Sequence, residues 1–125
     1  MNLTKNEVEI MDTLWTVGKP LSRAELIATP EERTWKESSI HVLLNSLLRK
    51  GAITEAGFVK NGKAIGRTYA AAVTCEEYYA LAAASNTKTK PDLAGLVEAL
   101  IRCFKPNKET LEKMQAILDK AMSKK

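Results

Sequence analysis

The sequence predicts a mainly α-helical protein with one small β-hairpin, and three observations carry that prediction. The bulk apolar residues are Leu, Ala, Ile and Val, while aromatics make up only 6% of the chain, a balance that suits helices. Apolar residues recur at three- and four-residue intervals through most of its length. One Asn-Gly step, Asn61-Gly62, falls between two short stretches that can be extended, which is a strong hairpin signal. With 125 residues and 45% apolar content, the chain can bury a core in one domain and carry a short appendage.

Each element has its own signals. Thr4 can cap the first helix and Glu7 closes a capping box; Val8, Met11, Leu14 and Trp15 form the apolar stripe, and Gly18 with Pro20 ends it. Ser22 and Glu25 repeat the box for a short second helix, where Leu21 and Leu26 are spaced as a hydrophobic staple and Pro30 sets the limit. The third helix lies within "WKESSIHVLLNSLLRKGAI", Trp35 to Ile53, with Thr34 and Glu37 as its expected box or a start one or two residues later. Ile40, Leu43, Leu44, Leu47 and Leu48 cover one face. Arg49 and Lys50 occupy the last turn, where the helix dipole favours cations, and Gly51 is placed to end it. Trp15 and Trp35 suit core packing, Trp35 bracing the start of this helix.

Ala52–Glu55 and Phe58–Lys60 form one arm of the hairpin and Gly66–Val73 the other. Two short strands alone are marginally stable, so the hairpin must lean on the helices. A short second helix, a long third helix and a basic hairpin together make a winged helix-turn-helix, in which the third helix enters a major groove. Thr74 and Glu77 then cap a helix to about Ala84, and "SNTKTKP" reads as a joint. Beyond it Leu93, Leu96, Val97, Leu100, Ile101 and Phe104 share one side of a helix that Pro106 breaks. Asn107 caps the last helix, whose apolar residues are Leu111, Met114, Ile117 and Leu118. Little else in so short a chain can cover these two stripes. Pairing of two copies would do so, giving a homodimer; folding back onto the first domain is the alternative. Residues 1–74 are therefore expected to be a DNA-binding domain and residues 75–125 a helical dimerisation region.

Charge distribution agrees. The net charge is +4. Between Arg33 and Tyr69, however, seven cations (Arg33, Lys36, Arg49, Lys50, Lys60, Lys63 and Arg67) stand against two carboxylates, Glu37 and Glu55. A positive middle with near-neutral flanks fits a polyanion. With the leucine face of the third helix set inward, Ser38, Val42, Asn45 and Arg49 point outward, flanked by His41 and Ser46. Small side chains permit close backbone approach. Asn bonds adenine in a bidentate manner, Ser serves base or phosphate, and an apolar group touches the thymine methyl. Arg49 reaches phosphate, and Lys60, Lys63 and Arg67 on the hairpin bind backbone or the adjacent minor groove. An ordinary solvated helix face is the plain alternative, but such faces carry more Glu and Lys. A protein-interaction module without specific DNA binding is the second functional reading, since Val42 would offer an apolar contact.

Other classes find no support in the residues. No G-x-S-x-G, P-loop or H-E-x-x-H motif occurs, and one histidine without an acid-base partner at suitable spacing makes no active site, so no enzymatic activity is expected. Cys75 and Cys103 form no C-x-x-C pair, so neither a metal site, a cofactor nor a disulfide framework is expected. Both are expected to be reduced thiols in the core of a cytoplasmic protein. The polar N-terminus lacks the apolar segment of a signal peptide, and no run approaches the ~20 residues of a membrane span.

The segments "LTKNEVEIMDTLW", "TWKESSIHVLLNSLLRKGAI" and "GRTYAAAV" resemble the N-terminal domain of the penicillinase-repressor family (BlaI, MecI and CopY type). "LVEALIRCF…KETLEKMQAILDK" resembles its dimerisation region. The resemblance spans nearly the whole chain. It implies a bacterial transcriptional repressor that binds a pseudo-palindromic operator of double-stranded DNA as a homodimer, paired through two C-terminal helices per chain. Lys36, Glu37, Ser38 and Ser39 stand where members often carry a Ser-Pro-Lys-Thr-like start to the third helix, which adds Lys36 and Ser39 to the DNA-contacting set. Arg67 and Tyr69 match the wing's returning strand. In one branch a membrane sensor-protease is the partner and the repressor is cleaved at an Asn-Phe step; here Ala99-Leu100 stands in the matching place. In the copper-responsive branch a cysteine-rich metal hook follows, whereas "LDKAMSKK" has no cysteine.

Overall fold

The structure, a computed structural model, describes residues 1–61, 64–85 and 88–124. Gly62 and Lys63 lie outside the described residues, and with them the second half of the expected Asn-Gly turn and one expected DNA-contacting cation. The chain divides into two compact units, Met1–Thr87 and Lys88–Lys125.

The first unit opens with α1 (Lys5–Val17), β1 (Leu21–Ser22) and α2 (Arg23–Ala28). Both expected capping boxes form: Thr4 accepts from the Glu7 N–H and Ser22 from the Glu25 N–H, while each glutamate side chain accepts from the N–H of its capping residue. Leu21 and Leu26 are both buried, as a staple requires. A 3₁₀ turn at Glu37–Ser39 leads into α3 (Ile40–Lys50). The Thr34–Glu37 box does not form, and the helical turn starts at Glu37, the later of the expected starts. Thr34 is occupied elsewhere: its N–H donates to Glu9 at 3.1 Å and its hydroxyl bonds Glu9 and Asn6 on α1. Tertiary bonds have displaced the local cap.

At its far end α3 closes on Gly51, whose φ of 79° favours a residue without a Cβ. The Ala52 N–H bonds the Leu47 carbonyl and the Gly51 N–H bonds that of Leu48, the two bonds of a Schellman motif. Leu47 and Ala52 are both fully buried and supply its apolar contact.

Strands β2 (Ile53–Asn61) and β3 (Ala64–Ala71) form the hairpin. A bulge at Glu55/Gly57, with Gly57 at φ 153°, shifts the register. Sequence spacing did not reveal β1. It pairs antiparallel with β3 through Leu21↔Tyr69 and Ser22↔Thr68, so the sheet has the order β1-β3-β2 and the returning strand is central. The core gathers Ile10, Met11 and Leu14 of α1, Leu21 and Leu26, Trp35, Ile40, Leu44 and Leu47 of α3, and Ala52 with Ile53 at the start of the hairpin. Trp35 is buried with the Arg33 guanidinium 5.1 Å over its ring, and Trp15 donates its indole N–H to the Val73 carbonyl at 2.9 Å.

α4 (Cys75–Ala84), capped by Thr74, belongs to the first unit. The two compact units divide after α4. The Tyr78 ring lies 5.8 Å from that of Trp15 and links α4 to α1. The second unit consists of α5 (Leu93–Phe104), capped by Asp92, and α6 (Lys108–Ser123), capped by Asn107. The cysteines depart from expectation: Cys75 is half-buried at the start of α4 and Cys103 is exposed on α5, so neither is a core residue.

Candidate nucleic-acid interface

α3 is held from three sides. Ile40, Leu44 and Leu47 are buried against α1, α2 and the sheet, while Leu43 and Leu48 pack at the core's margin. The opposite face is open. Ser38, His41, Asn45 and Arg49 are exposed, and Val42 keeps 71% of its surface in water. An apolar side chain so exposed on a firmly seated helix is the kind of contact that a thymine methyl accepts. Lys36 and Ser38 are exposed and Ser39 half-buried at the helix entrance, where the 3₁₀ turn presents them.

Ser46 is different. It is half-buried and its hydroxyl lies against the carboxylate of Glu7, so it faces α1 and not the open side. Glu7 is the reason. The residue is 1% exposed, and burial alone would raise its pKa. The Lys50 ammonium at 2.6 Å, the Ser46 hydroxyl and the Thr4 N–H and hydroxyl outweigh that burial and hold the pKa down at about 2. A charged pin therefore ties the last turn of α3 to the first turn of α1. Lys50 is accordingly spent inside the fold, which leaves Arg49 as the outward cation of that turn.

Sequence reasoning missed two exposed residues, one beside this face and one on the hairpin. Arg23, the first residue of α2, places its guanidinium 2.9 Å from Nε2 and 3.2 Å from Nδ1 of His41. It brings a cation from α2 to the edge of α3, where helix-turn-helix proteins run their first helix across the DNA backbone. The available signal was its place directly after the Ser22 cap, on the helix that precedes the recognition element. Phe58, the second, is 72% exposed on β2. Its signal was an aromatic amid otherwise small and basic hairpin residues.

On the hairpin, Lys60 is exposed and Arg67 bonds Glu55 at 3.0 Å with both side chains largely in solvent. Tyr69 is half-buried and packs on the core, so its ring serves the fold first. In the second unit Leu93, Leu100, Phe104, Leu111, Ile117 and Leu118 are exposed, Phe104 to 78%; Leu96, Val97, Ile101 and Met114 are half-buried. Met122 extends the exposed apolar set on α6. Among the described residues no helix is long and apolar enough to cross a membrane, and no cluster of three metal-ligating side chains occurs.

The comparisons agree with this architecture. No curated protein matches the chain. The family model described as penicillinase repressor matches residues 3–120, from just before α1 to within α6. A helix-turn-helix unit with a hairpin wing, two further amphipathic helices and that match lead to one assignment: the chain belongs to the penicillinase repressor family, a family of transcriptional regulators.

Proposed function

We propose that the protein is a dimeric repressor that recognises a pseudo-palindromic operator by inserting α3 of each copy into a major groove. The observation that carries this reading is the asymmetry of α3. Leucines anchor one side, while Ser38, Val42 and Asn45 stand uncharged and exposed on the other beside the exposed His41, with Arg49 at the rim. A face with donors, acceptors and a small apolar group, but few charges, suits base edges better than it suits bulk water. Arg23, Lys36, Lys60, Lys63 and Arg67 supply phosphate contacts around it, which set register without reading sequence. The apolar sides of α5 and α6 join two such units, so that two half-sites are read at once. The protein acts in the cytoplasm, where its operator lies, and represses by occupying the promoter.

A gel-shift titration on the DNA upstream of its own gene tests the reading, with competitor DNA and a salt series. Binding is expected to survive competitor and to fall steeply with salt as counterions are released. Asn45→Ala is expected to relax base preference by about 1–3 kcal/mol of discrimination, and Lys63→Ala to weaken all duplexes alike. Wild-type behaviour in both variants would remove α3 and the wing from the interface.

A further inference from the structure

Phe58 projects from the hairpin with 72% of its surface in water and lies outside the core cluster. An aromatic ring is among the least favourable side chains to leave in that state. Its register partner is Arg67, directly across the ladder, so both side chains leave the ribbon on one face. Alternation along β3 connects that face to Tyr69 and Ala71, which pack on the core. Phe58 and Arg67 therefore stand on the helix-bearing side of the sheet, just past the point where helices stop covering it. Lys60, two residues on and exposed, shares the face. From Phe58 to Arg67 the sequence carries Lys60, Lys63 and Arg67 and no carboxylate. Glu55, the ion-pair partner of Arg67, is itself exposed, so the guanidinium can exchange it for another anion at little cost.

We propose that Phe58 is a DNA-contacting residue: the wing enters a minor groove with this ring against the apolar sugar walls, and Arg67 and Lys60 reach the phosphates on either side. The charge around the ring selects this occupant, because a duplex groove combines apolar walls with two rails of negative charge. The inference rests on the reading of the chain as a duplex-binding protein and adds to it an apolar grip that cations alone do not provide.

Fluorescence anisotropy of the full chain on a labelled mixed-sequence duplex, repeated on its own upstream DNA over a salt series, separates the two. Phe58→Ala is expected to weaken binding roughly tenfold. It is expected to leave the slope of log affinity against log salt unchanged, since it releases no counterion. Arg67→Ala is expected to reduce that slope by about one. Phe58→Leu should recover most of the affinity, and saturating the duplex with netropsin, which fills the minor groove, should abolish the difference between wild type and Phe58→Ala. Equal binding by Phe58→Ala, or a difference that survives netropsin, overturns the proposal while leaving α3 recognition standing. Failure of the wild type to bind either duplex at low salt overturns both. The thermal melt of Phe58→Ala is expected to coincide with that of wild type; an early melt would make the ring a packing residue and also overturn the proposal.

Discussion

The two units of this chain solve burial in opposite ways. In Met1–Thr87 every helix of the helix-turn-helix gives buried residues to one core, and even a glutamate is carried inside with its own cation. In Lys88–Lys125 neither helix contains a buried residue, although α5 and α6 carry apolar side chains at regular helical spacing. The difference teaches where each unit's stability resides. The first closes on itself. The second exposes apolar surface of a kind that isolated soluble proteins seldom keep, the surface that the proposed dimer would bury.

This contrast is open to direct attack, and the largest effect is expected in the first unit. Leu47→Ala removes a side chain with no exposed surface, at a cost of about 2–5 kcal/mol in denaturant unfolding. The loss should not change with protein concentration. Next comes the pin. Glu7→Gln leaves Lys50 without its carboxylate and is expected to cost about 2 kcal/mol at neutral pH. The folded pKa of Glu7 is depressed from 4.5 to about 2. The stabilisation it gives is therefore fully present above pH 4.5 and is lost as pH falls toward 2, where wild type and variant should converge. Melting curves across that window check the sign.

In the second unit Leu118→Lys places a charge on the apolar side of α6, and about 1.5–3 kcal/mol per copy is expected to vanish from association. Sedimentation equilibrium should report monomers at concentrations where wild type pairs. An unchanged oligomer would break the comparison, since the exposed stripes would then need another explanation. The smallest change in stability belongs to Asn45→Ala. This residue is exposed, so unfolding should shift by less than about 0.5 kcal/mol while base preference relaxes.

Local grammar in the sequence revealed most of the fold. Thr4-Glu7, Ser22-Glu25 and Thr74-Glu77 all form the boxes that their spacing predicts, because each needs only neighbours along the chain. Thr34-Glu37 has the same spelling and fails, because Glu9 of α1 reaches Thr34 first. The strand at Leu21–Ser22 was invisible for a related reason: two residues become a strand only when a distant strand lies beside them. The outward face of α3 was legible from helical geometry, with Ser46 the exception. Its buried partner sits on another helix, and Glu7 reads from sequence as a capping residue and nothing more. Arg23 and Phe58 carried only weak signals in the sequence until folding brought His41 beside one and Arg67 beside the other.

The central position of β3 bears on how such a protein can change over generations. Because this strand is stitched on both edges near its base, to Leu21–Ser22 on one side and to Ile53–Glu55 on the other, the anchoring rungs stay put when residues farther out are lengthened, shortened or exchanged. On the proposed reading, new preferences for flanking DNA can thus be tried at the ribbon's far end while α3 and its supports remain untouched.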